Sequence, residues 1–251
     1  MIQTYVLNTG ELPDRLDYPA QWEAYMQKMP PERVEKIRRI RHEETKKQSF
    51  GAGLLLHDVC KRLAPGEEIT YAAYGKPACA DLPFNLSHTK DVVILSVWEG
   101  INREEVMIGC DIEQIQPYQA EIAGRFFTRA EYHSLQAVQN PQEQAELFYR
   151  YWTKKESVMK LTGLGLSLPM DLYDVRGSQP VVDFEKTYTW YEKELKKGQI
   201  KEGFTQAVET LLYRKMYFKE YRYPPCCITV CSTMEQFAPD YVLAKPGKEG
   251  I

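Results

Sequence analysis

The feature that most constrains the fold is the stretch from Pro141 to Thr162, where apolar residues recur at three- and four-residue steps. This period predicts a single amphipathic helix of about six turns. A helix of that length needs an extended apolar surface to cover its buried side, so it predicts a core assembled around it. The apolar positions are Leu147, Phe148, Tyr151, Trp152, Val158, Met159 and Leu161.

Charged residues interrupt this apolar side. Lys155 falls inside it, and Glu156 and Lys160 border it. Two interpretations are open. In the first, Glu156 and Lys160 form an i,i+4 pair on a solvated rim and Lys155 extends to water. In the second, one carboxylate and two ammonium groups belong to a functional site.

The composition indicates a globular protein and argues against a generic nucleic-acid binder and a membrane-spanning protein. A chain of 251 residues with 43% hydrophobic content is large enough for one large domain or two small ones. A net charge of −3 argues against a generic nucleic-acid binder, although basic residues cluster between Arg33 and Lys47. No apolar run reaches membrane-spanning length, and "MIQTYVLNTG" lacks the basic start of a leader. We therefore expect a cytoplasmic protein without membrane contact, whose six cysteines are reduced thiols.

The order of patterns predicts an α+β fold. A strand is expected near Ile2–Leu7, helices over 19–63 with a break at Pro30 and Pro31, and then short strands in "EITYAAYGKP", "FNLSH", "DVVILSVW" and "VMIGCDIEQI". Helices are expected again over 120–162. Glycine and charges between Glu99 and Glu105 suggest a boundary, which gives halves of 1–103 and 104–251.

The last third of the chain carries weaker patterns. A strand is expected over 172–175, and 183–203 reads either as a helical insertion or as an irregular surface excursion. "MYFKEYRY" and "CCITVCS" predict a closing hairpin around Pro224 and Pro225, with a loop wider than a tight turn. The tail after Pro239 is expected to be frayed.

Two acidic residues stand close together in "IGCDIE". On a strand, Asp111 and Glu113 project from one face and repel each other unless water or a cation screens them. They either mark a strand end that reaches solvent or bind a hard divalent cation. The apolar residues around them favour the cation, and Mg²⁺ takes carboxylates together with phosphate oxygens.

Three weaker candidates lie in the first half. Ser87 and His88 end a short apolar strand, where their side chains could donate to a phosphate. "YGKP" is an ordinary turn or the wall of a base pocket. The basic stretch from Arg33 to Lys47 is either a solvated helix face or a phosphate-binding patch.

Taken in order, "NLSH", "GCDIE" and "WTKKESVMK" followed by "GLGLSLP" resemble the motifs of the 4'-phosphopantetheinyl transferases, of the larger single-chain type that activates peptide synthetases. The resemblance covers most of the chain. It implies that the phosphopantetheine arm of coenzyme A moves to a serine of an apo acyl or peptidyl carrier protein, with release of adenosine 3',5'-bisphosphate. It also implies two similar α/β halves related by a pseudo-twofold axis, with the ligand in the cleft between them, and a monomer suffices for that arrangement.

The resemblance assigns roles to the second half. Asp111, Glu113 and Glu156 would hold Mg²⁺. Glu156 would also take the serine proton, directly or through water. Lys160, and with it Lys155, would neutralise phosphate oxygens of coenzyme A.

The resemblance also assigns coenzyme A contacts in the first half, and His88 is counted there among the catalytic residues. The implied contacts are Ser87 and His88 at the phosphates, Lys76 and Pro77 at the adenine, and Arg33, Lys36 and Ser49 near the 3'-phosphate. The family often has lysine at the position of Arg33 and threonine at that of Ser49, and both replacements keep the charge or the hydroxyl. The 183–203 segment is longer than is typical of the family.

Two other functions remain as alternatives. Another Mg²⁺-dependent phosphotransferase or a nuclease would also use paired carboxylates and a lysine. A non-enzymatic module could bind a nucleotide or nucleic acid through the basic stretch from Arg33 to Lys47. Neither predicts all three motifs in this order, so we expect no nucleic-acid partner.

Overall fold

The computed structural model describes residues 1–13, 15–71, 77–79, 82–198, 200 and 202–245, without the side chain of Tyr71. Within these residues it is a mixed α+β fold, as the sequence predicts. The helices are α1 (Pro19–Met26), α2 (Pro31–Arg39), α3 (Glu43–Leu63), α4 (Ala120–Phe126), α5 (Arg129–Gln136), α6 (Pro141–Thr162), α7 (Phe184–Lys197) and α8 (Phe204–Tyr213). The strands are β1 (Ile2–Asn8), β2 (Ile69–Tyr71), β3 (Pro77–Cys79), β4 (Phe84–Thr89), β5 (Val92–Trp98), β6 (Ile108–Gln114), β7 (Tyr173–Asp174), β8 (Val181–Val182), β9 (Tyr217–Tyr223), β10 (Cys226–Ser232) and β11 (Val242–Leu243).

The chain divides into two compact units. The first is Met1–Val106 together with the segment that begins at Gln236, and the second is Met107–Glu235. The division expected from the sequence, at 103 and 104, falls close to the first of these boundaries. The prediction that the first half binds the nucleotide of coenzyme A and the second half carries the Mg²⁺-binding carboxylates stays a prediction.

The first unit is built on a four-stranded sheet in the order β11-β1-β5-β4, and the short strands β2 and β3 pair separately. β1 runs antiparallel to β5 over its whole length. Helix α3 buries Leu55, Leu56 and Val59 in the core cluster that contains the sheet residues. A second cluster joins α1 to α3, where the rings of Trp22 and Phe50 stack with centroids 3.8 Å apart.

The helical region of the first unit has one break more than the sequence predicts. The expected break at Pro30 and Pro31 is confirmed, but the chain also leaves the helix at Ile40 and begins α3 after His42. Both residues have extended backbone angles. Basic residues end α2 and acidic residues begin α3, and each helix dipole favours that placement.

The second unit packs α6 against a three-stranded antiparallel sheet in the order β6-β10-β9. The apolar side predicted for α6 is confirmed, since Phe148, Val158 and Met159 are almost completely buried. They share one core cluster with residues of α4, α5 and the segment that leads into β7. The strand expected over 172–175 is only the two-residue β7, which pairs with β8.

The loop of the closing hairpin is tighter than predicted. Tyr223 pairs with Cys226, so only Pro224 and Pro225 connect β9 to β10 and the expectation of a wider loop is wrong. A two-residue connection lies outside the ladder and does not need the N–H group that proline lacks. The carbonyl of Pro225 accepts a hydrogen bond from the backbone N–H of Ile115 at 2.9 Å.

The tail after Pro239 is not frayed as far as the structure describes it. β11 pairs in parallel with β1, and the backbone N–H of Ala244 donates to the carbonyl of Val6 at 2.8 Å. An open strand edge offers unpaired backbone groups, and the tail satisfies part of those on β1. Residues 246–251 lie outside the described part.

Of the two alternatives for the 183–203 segment, the helical one is confirmed over Phe184–Lys197, which forms α7. The Asp183 side chain caps the first turn of α7 by accepting from the backbone N–H of Lys186 at 3.0 Å. Within the described residues, no helix combines the length and apolar character needed to cross a membrane. All six cysteines are thiols, as expected.

Candidate active site

Helix α6 is fixed at both ends by local sequence signals. The Asn140 side chain accepts hydrogen bonds from the backbone N–H groups of Gln142 and Glu143, and Pro141 occupies the first helical position. The helix ends at Gly163, whose φ of 75° is in the left-handed region that favours glycine. Glu156 and Lys160 therefore lie on a helix with well-defined ends.

Gly109 allows α6 to lie unusually close to β6. A Cβ atom added at Gly109 would be 2.0 Å from the backbone oxygen of Ser157 and 2.4 Å from the backbone nitrogen of Leu161. Both atoms belong to the helix backbone, which cannot rotate away as a flexible side chain could. The glycine of the "GCDIE" motif is thus required for the close contact that brings β6 to the turn of α6 carrying Lys160.

At this contact, Asp111 and Lys160 form an ion pair. The Lys160 Nζ lies 2.6 Å from Oδ1 of Asp111, whose side chain is buried while that of Lys160 is 29% exposed. Burial alone would lower the pKa of Lys160, but the attraction of Asp111 raises it above its usual value. Lys160 therefore keeps its positive charge beside the acidic residues.

Glu156, one turn before Lys160, belongs to the same group. Burial raises the pKa of its carboxyl, the negative charge of Asp111 raises it further, and Lys160 lowers it, with a net increase. The repulsion between Glu156 and Asp111 is the unfavourable interaction that a bound cation would relieve. A carboxyl with a raised pKa is also a better proton acceptor.

Glu113 completes the set of acids predicted from the motifs. It follows Asp111 by two positions on β6 and is half-buried. Burial raises the pKa of Tyr149, and the negative charge of Glu113 raises it further. The donor set of three carboxylates suits a hard cation such as Mg²⁺. Across the described ranges, however, no three histidine, cysteine or acidic side chains are grouped closely enough to form a metal site as they stand.

Lys155 occupies the core of the second unit. Its side chain is fully buried, and its Nζ donates to the carbonyl oxygens of Met170 at 2.7 Å and Tyr173 at 2.8 Å and pairs with Glu131 at 3.0 Å. The interpretation in which Lys155 extends to water is therefore wrong. An ammonium group has three donors, and the protein occupies them. This placement does not support the predicted contact of Lys155 with coenzyme A phosphates, because its ammonium group already binds the protein.

The partner of Lys155, Glu131, was not identified from the sequence. Glu131 closes a capping box at the start of α5, with its Oε2 accepting from the backbone N–H of Thr128 at 2.8 Å. Its Oε1 accepts from the backbone N–H of Val175 at 2.7 Å. The four-residue pattern from Thr128 to Glu131 is a recognisable capping signal, but the buried ion pair needs tertiary contacts that no local pattern contains.

The candidates of the first half lie in the first unit. The structure brings Arg33 and Ser49 together, since Nη2 of Arg33 donates to the carbonyl of Ser49 at 2.5 Å. Lys36 is exposed on α2, and Pro77 is the first residue of β3. On β4, Ser87 is buried and His88 is exposed. Lys76 lies outside the described residues. The roles of these residues in binding coenzyme A stay predictions.

Comparison with known proteins identifies the family of the chain. The family model of the 4'-phosphopantetheinyl transferase superfamily matches residues 107–207, which include β6 and α6. The 4'-phosphopantetheinyl transferase Sfp of Bacillus subtilis (strain 168) is 38% identical over 161 residues, which cover 61% of this chain and 69% of that protein.

Two further relatives show the same kinship. The 4'-phosphopantetheinyl transferase ffp of Bacillus subtilis is 38% identical over 58% of this chain and 65% of that protein. The 4'-phosphopantetheinyl transferase AcpT of Escherichia coli (strain K12) is 39% identical over 45% of this chain and 55% of that protein. With the motif residues placed together at the β6–α6 contact, the chain belongs to the 4'-phosphopantetheinyl transferase superfamily.

Proposed function

We propose that this chain transfers the 4'-phosphopantetheine arm of coenzyme A to a serine of an apo acyl or peptidyl carrier protein, in a Mg²⁺-dependent reaction. The observation that carries the proposal is the contact between β6 and α6, where Asp111, Glu156 and Lys160 lie together. The names of the relatives support the same class of transfer.

The reaction is an in-line phosphoryl transfer. The serine oxygen attacks the phosphorus that bears the pantetheine arm, the bond from that phosphorus to the bridging oxygen breaks, and adenosine 3',5'-bisphosphate leaves. We assign the serine proton to Glu156, directly or through one water, because its raised pKa makes it a competent base. Lys160 neutralises charge on the phosphate oxygens, since its pKa is raised and it remains charged.

Asp111, Glu113 and Glu156 would hold Mg²⁺. The support for this assignment is the chemistry of the three carboxylates, which suits a hard cation, and the repulsion between Asp111 and Glu156, which a cation would relieve. When bound, Mg²⁺ supplies positive charge to the pyrophosphate oxygens. The ammonium group of Lys160 pairs with Oδ1 of Asp111. We expect it to turn toward the phosphates when coenzyme A and Mg²⁺ are bound.

The first unit is proposed to hold the nucleotide end of coenzyme A. Arg33, Lys36 and Ser49 would bind the 3'-phosphate, and Lys76 and Pro77 would border the adenine. Ser87 and His88 would contact the pyrophosphate, which makes His88 part of the catalytic group. The support for these roles is the match of sequence motifs, as it is for two similar halves, a pseudo-twofold axis and a ligand cleft. A monomer and a cytoplasmic location also stay predictions.

Product analysis tests the proposal. The protein is incubated with coenzyme A, Mg²⁺ and a panel of apo carrier proteins, and the nucleotide product is separated by chromatography. Carrier-dependent release of adenosine 3',5'-bisphosphate, abolished by EDTA, is expected. No release with any carrier would contradict the proposal, and cleavage of DNA or RNA under the same conditions would favour the nuclease alternative.

A further inference from the structure

An exposed leucine lies just beyond the end of α6, the helix that carries Glu156 and Lys160. Helix α6 ends two residues after Lys160, and the chain then turns through a short 3₁₀ segment, Gly165–Ser167. Leu166 at its centre is 89% exposed. Leu164 before it packs partly against the core of the second unit, and Leu168 after it is 2% exposed. Of three leucines at alternate positions, the middle one faces solvent.

The segment that carries Leu166 is held in place. The backbone N–H of Ser167 donates to the carbonyl of Leu164 at 3.2 Å, and that of Leu168 donates to the carbonyl of Gly165 at 3.1 Å. Gly165 has a φ of 54°, in the left-handed region. Since the turn is anchored on both sides, little backbone entropy would be lost when a partner covers Leu166.

We propose that Leu166 is a contact residue for the carrier protein. This inference rests on the proposed function. The reacting serine belongs to a folded protein, so the surface next to the acids is covered by that protein whenever the serine reaches them. Leu166 follows Lys160 by six residues, two of them still in α6, so the chain keeps the two Cα atoms within about 18 Å of each other, which is less than the width of a small folded protein.

The chemistry of the side chain favours the carrier over coenzyme A. The part of coenzyme A that Asp111, Glu156 and Lys160 are proposed to hold is the pyrophosphate, and an aliphatic side chain offers it neither charge nor a hydrogen-bond donor. A carrier protein can cover Leu166 with apolar surface of its own, and this burial is favourable. We therefore assign to Leu166 a role in carrier affinity and no role in the phosphoryl transfer itself.

Steady-state kinetics of Leu166→Ser tests the inference. We expect KM for the carrier to rise by about tenfold, because burial of one leucine side chain contributes that much to binding. The kcat at saturating carrier and KM for coenzyme A should stay as in the wild type. Ile101→Ser is the matched control, since Ile101 is 94% exposed and belongs to the first unit. This control variant should leave all three constants unchanged.

The possible results separate the inference from the proposed function. Wild-type transfer together with an unchanged KM for the carrier in Leu166→Ser would overturn the inference and leave the function standing. A rise in KM for coenzyme A alone would also overturn it, because Leu166 would then contact the substrate arm. An equal rise of KM for the carrier in Leu166→Ser and Ile101→Ser would overturn it too, because the loss of any exposed apolar side chain would then have the same effect. Absence of transfer by the wild-type protein on every carrier would overturn the proposed function, and the inference with it.

Discussion

Replacement of Gly109 by alanine should disrupt the active site through packing alone. The added methyl group would lie 2.0 Å from the backbone oxygen of Ser157, and ordinary contact begins at 3.4 Å, so α6 must retreat by about 1.4 Å along that direction. Overpacking of a core costs about 1 to 3 kcal/mol of unfolding free energy, and occasionally more. A displacement of about 1 Å at a reacting centre lowers the rate about a hundredfold. We expect both losses in Gly109→Ala.

The assay combines urea unfolding with turnover of coenzyme A and carrier. Gly124→Ala is the control, because a methyl group there would lie 3.7 Å from the ring of Tyr132, an ordinary contact, on helix α4. The control should gain up to about 1 kcal/mol of stability, since alanine favours helix over glycine, and should keep its rate. If Gly109→Ala were as stable and as active as the wild type, the close contact of α6 with β6 would not be what assembles the site.

Three further substitutions test Glu156, the buried ion pair of Glu131 with Lys155, and Lys36 on α2. Glu156→Gln should abolish transfer, and in metal-free buffer its unfolding free energy should exceed that of the wild type increasingly as the pH rises. The folded state raises the carboxyl pKa of Glu156, so the wild type loses stability as the pH rises from the ordinary carboxyl pKa through the raised one, and the difference then stays constant, whereas glutamine does not ionise. Near-normal turnover would remove Glu156 from the mechanism. Glu131→Gln should lower the unfolding free energy by about 3 to 5 kcal/mol, because it leaves the buried charge of Lys155 uncompensated. Urea unfolding measures this loss, and addition of Lys155→Met should recover part of it; an additive double mutant would refute the ion pair. Lys36→Glu should raise KM for coenzyme A more than it lowers kcat, and an unchanged KM would leave α2 as a solvated face.

Local patterns identified the parts of the site that depend on local geometry. The limits of α6 follow from Asn140, Pro141 and Gly163, and they could be taken from the sequence. The pattern around Asp111 predicts a strand, which β6 confirms. No local pattern, however, shows the contact of Asp111 with Lys160.

Long-range contacts could not be predicted from the same patterns. Helical spacing placed Lys155 within the apolar side but could not show that Glu131 covers it, because that pairing depends on how α5 folds over α6. The strand β11 likewise pairs with β1 from the opposite end of the chain. Position 109 requires glycine because the backbone of α6 lies against it, and no local pattern in the sequence shows that contact.

The most direct test of the central claim is the intact mass of the carrier protein itself. Apo carrier proteins are incubated with this protein, coenzyme A and Mg²⁺, and then measured by mass spectrometry alongside reactions with EDTA and reactions with Glu156→Gln. A mass gain equal to one phosphopantetheine group on the carrier, absent from both controls, is the predicted result. An unmodified carrier throughout the panel, or a gain that persists with Glu156→Gln, would contradict the claim that the acids at the β6–α6 contact carry out the transfer.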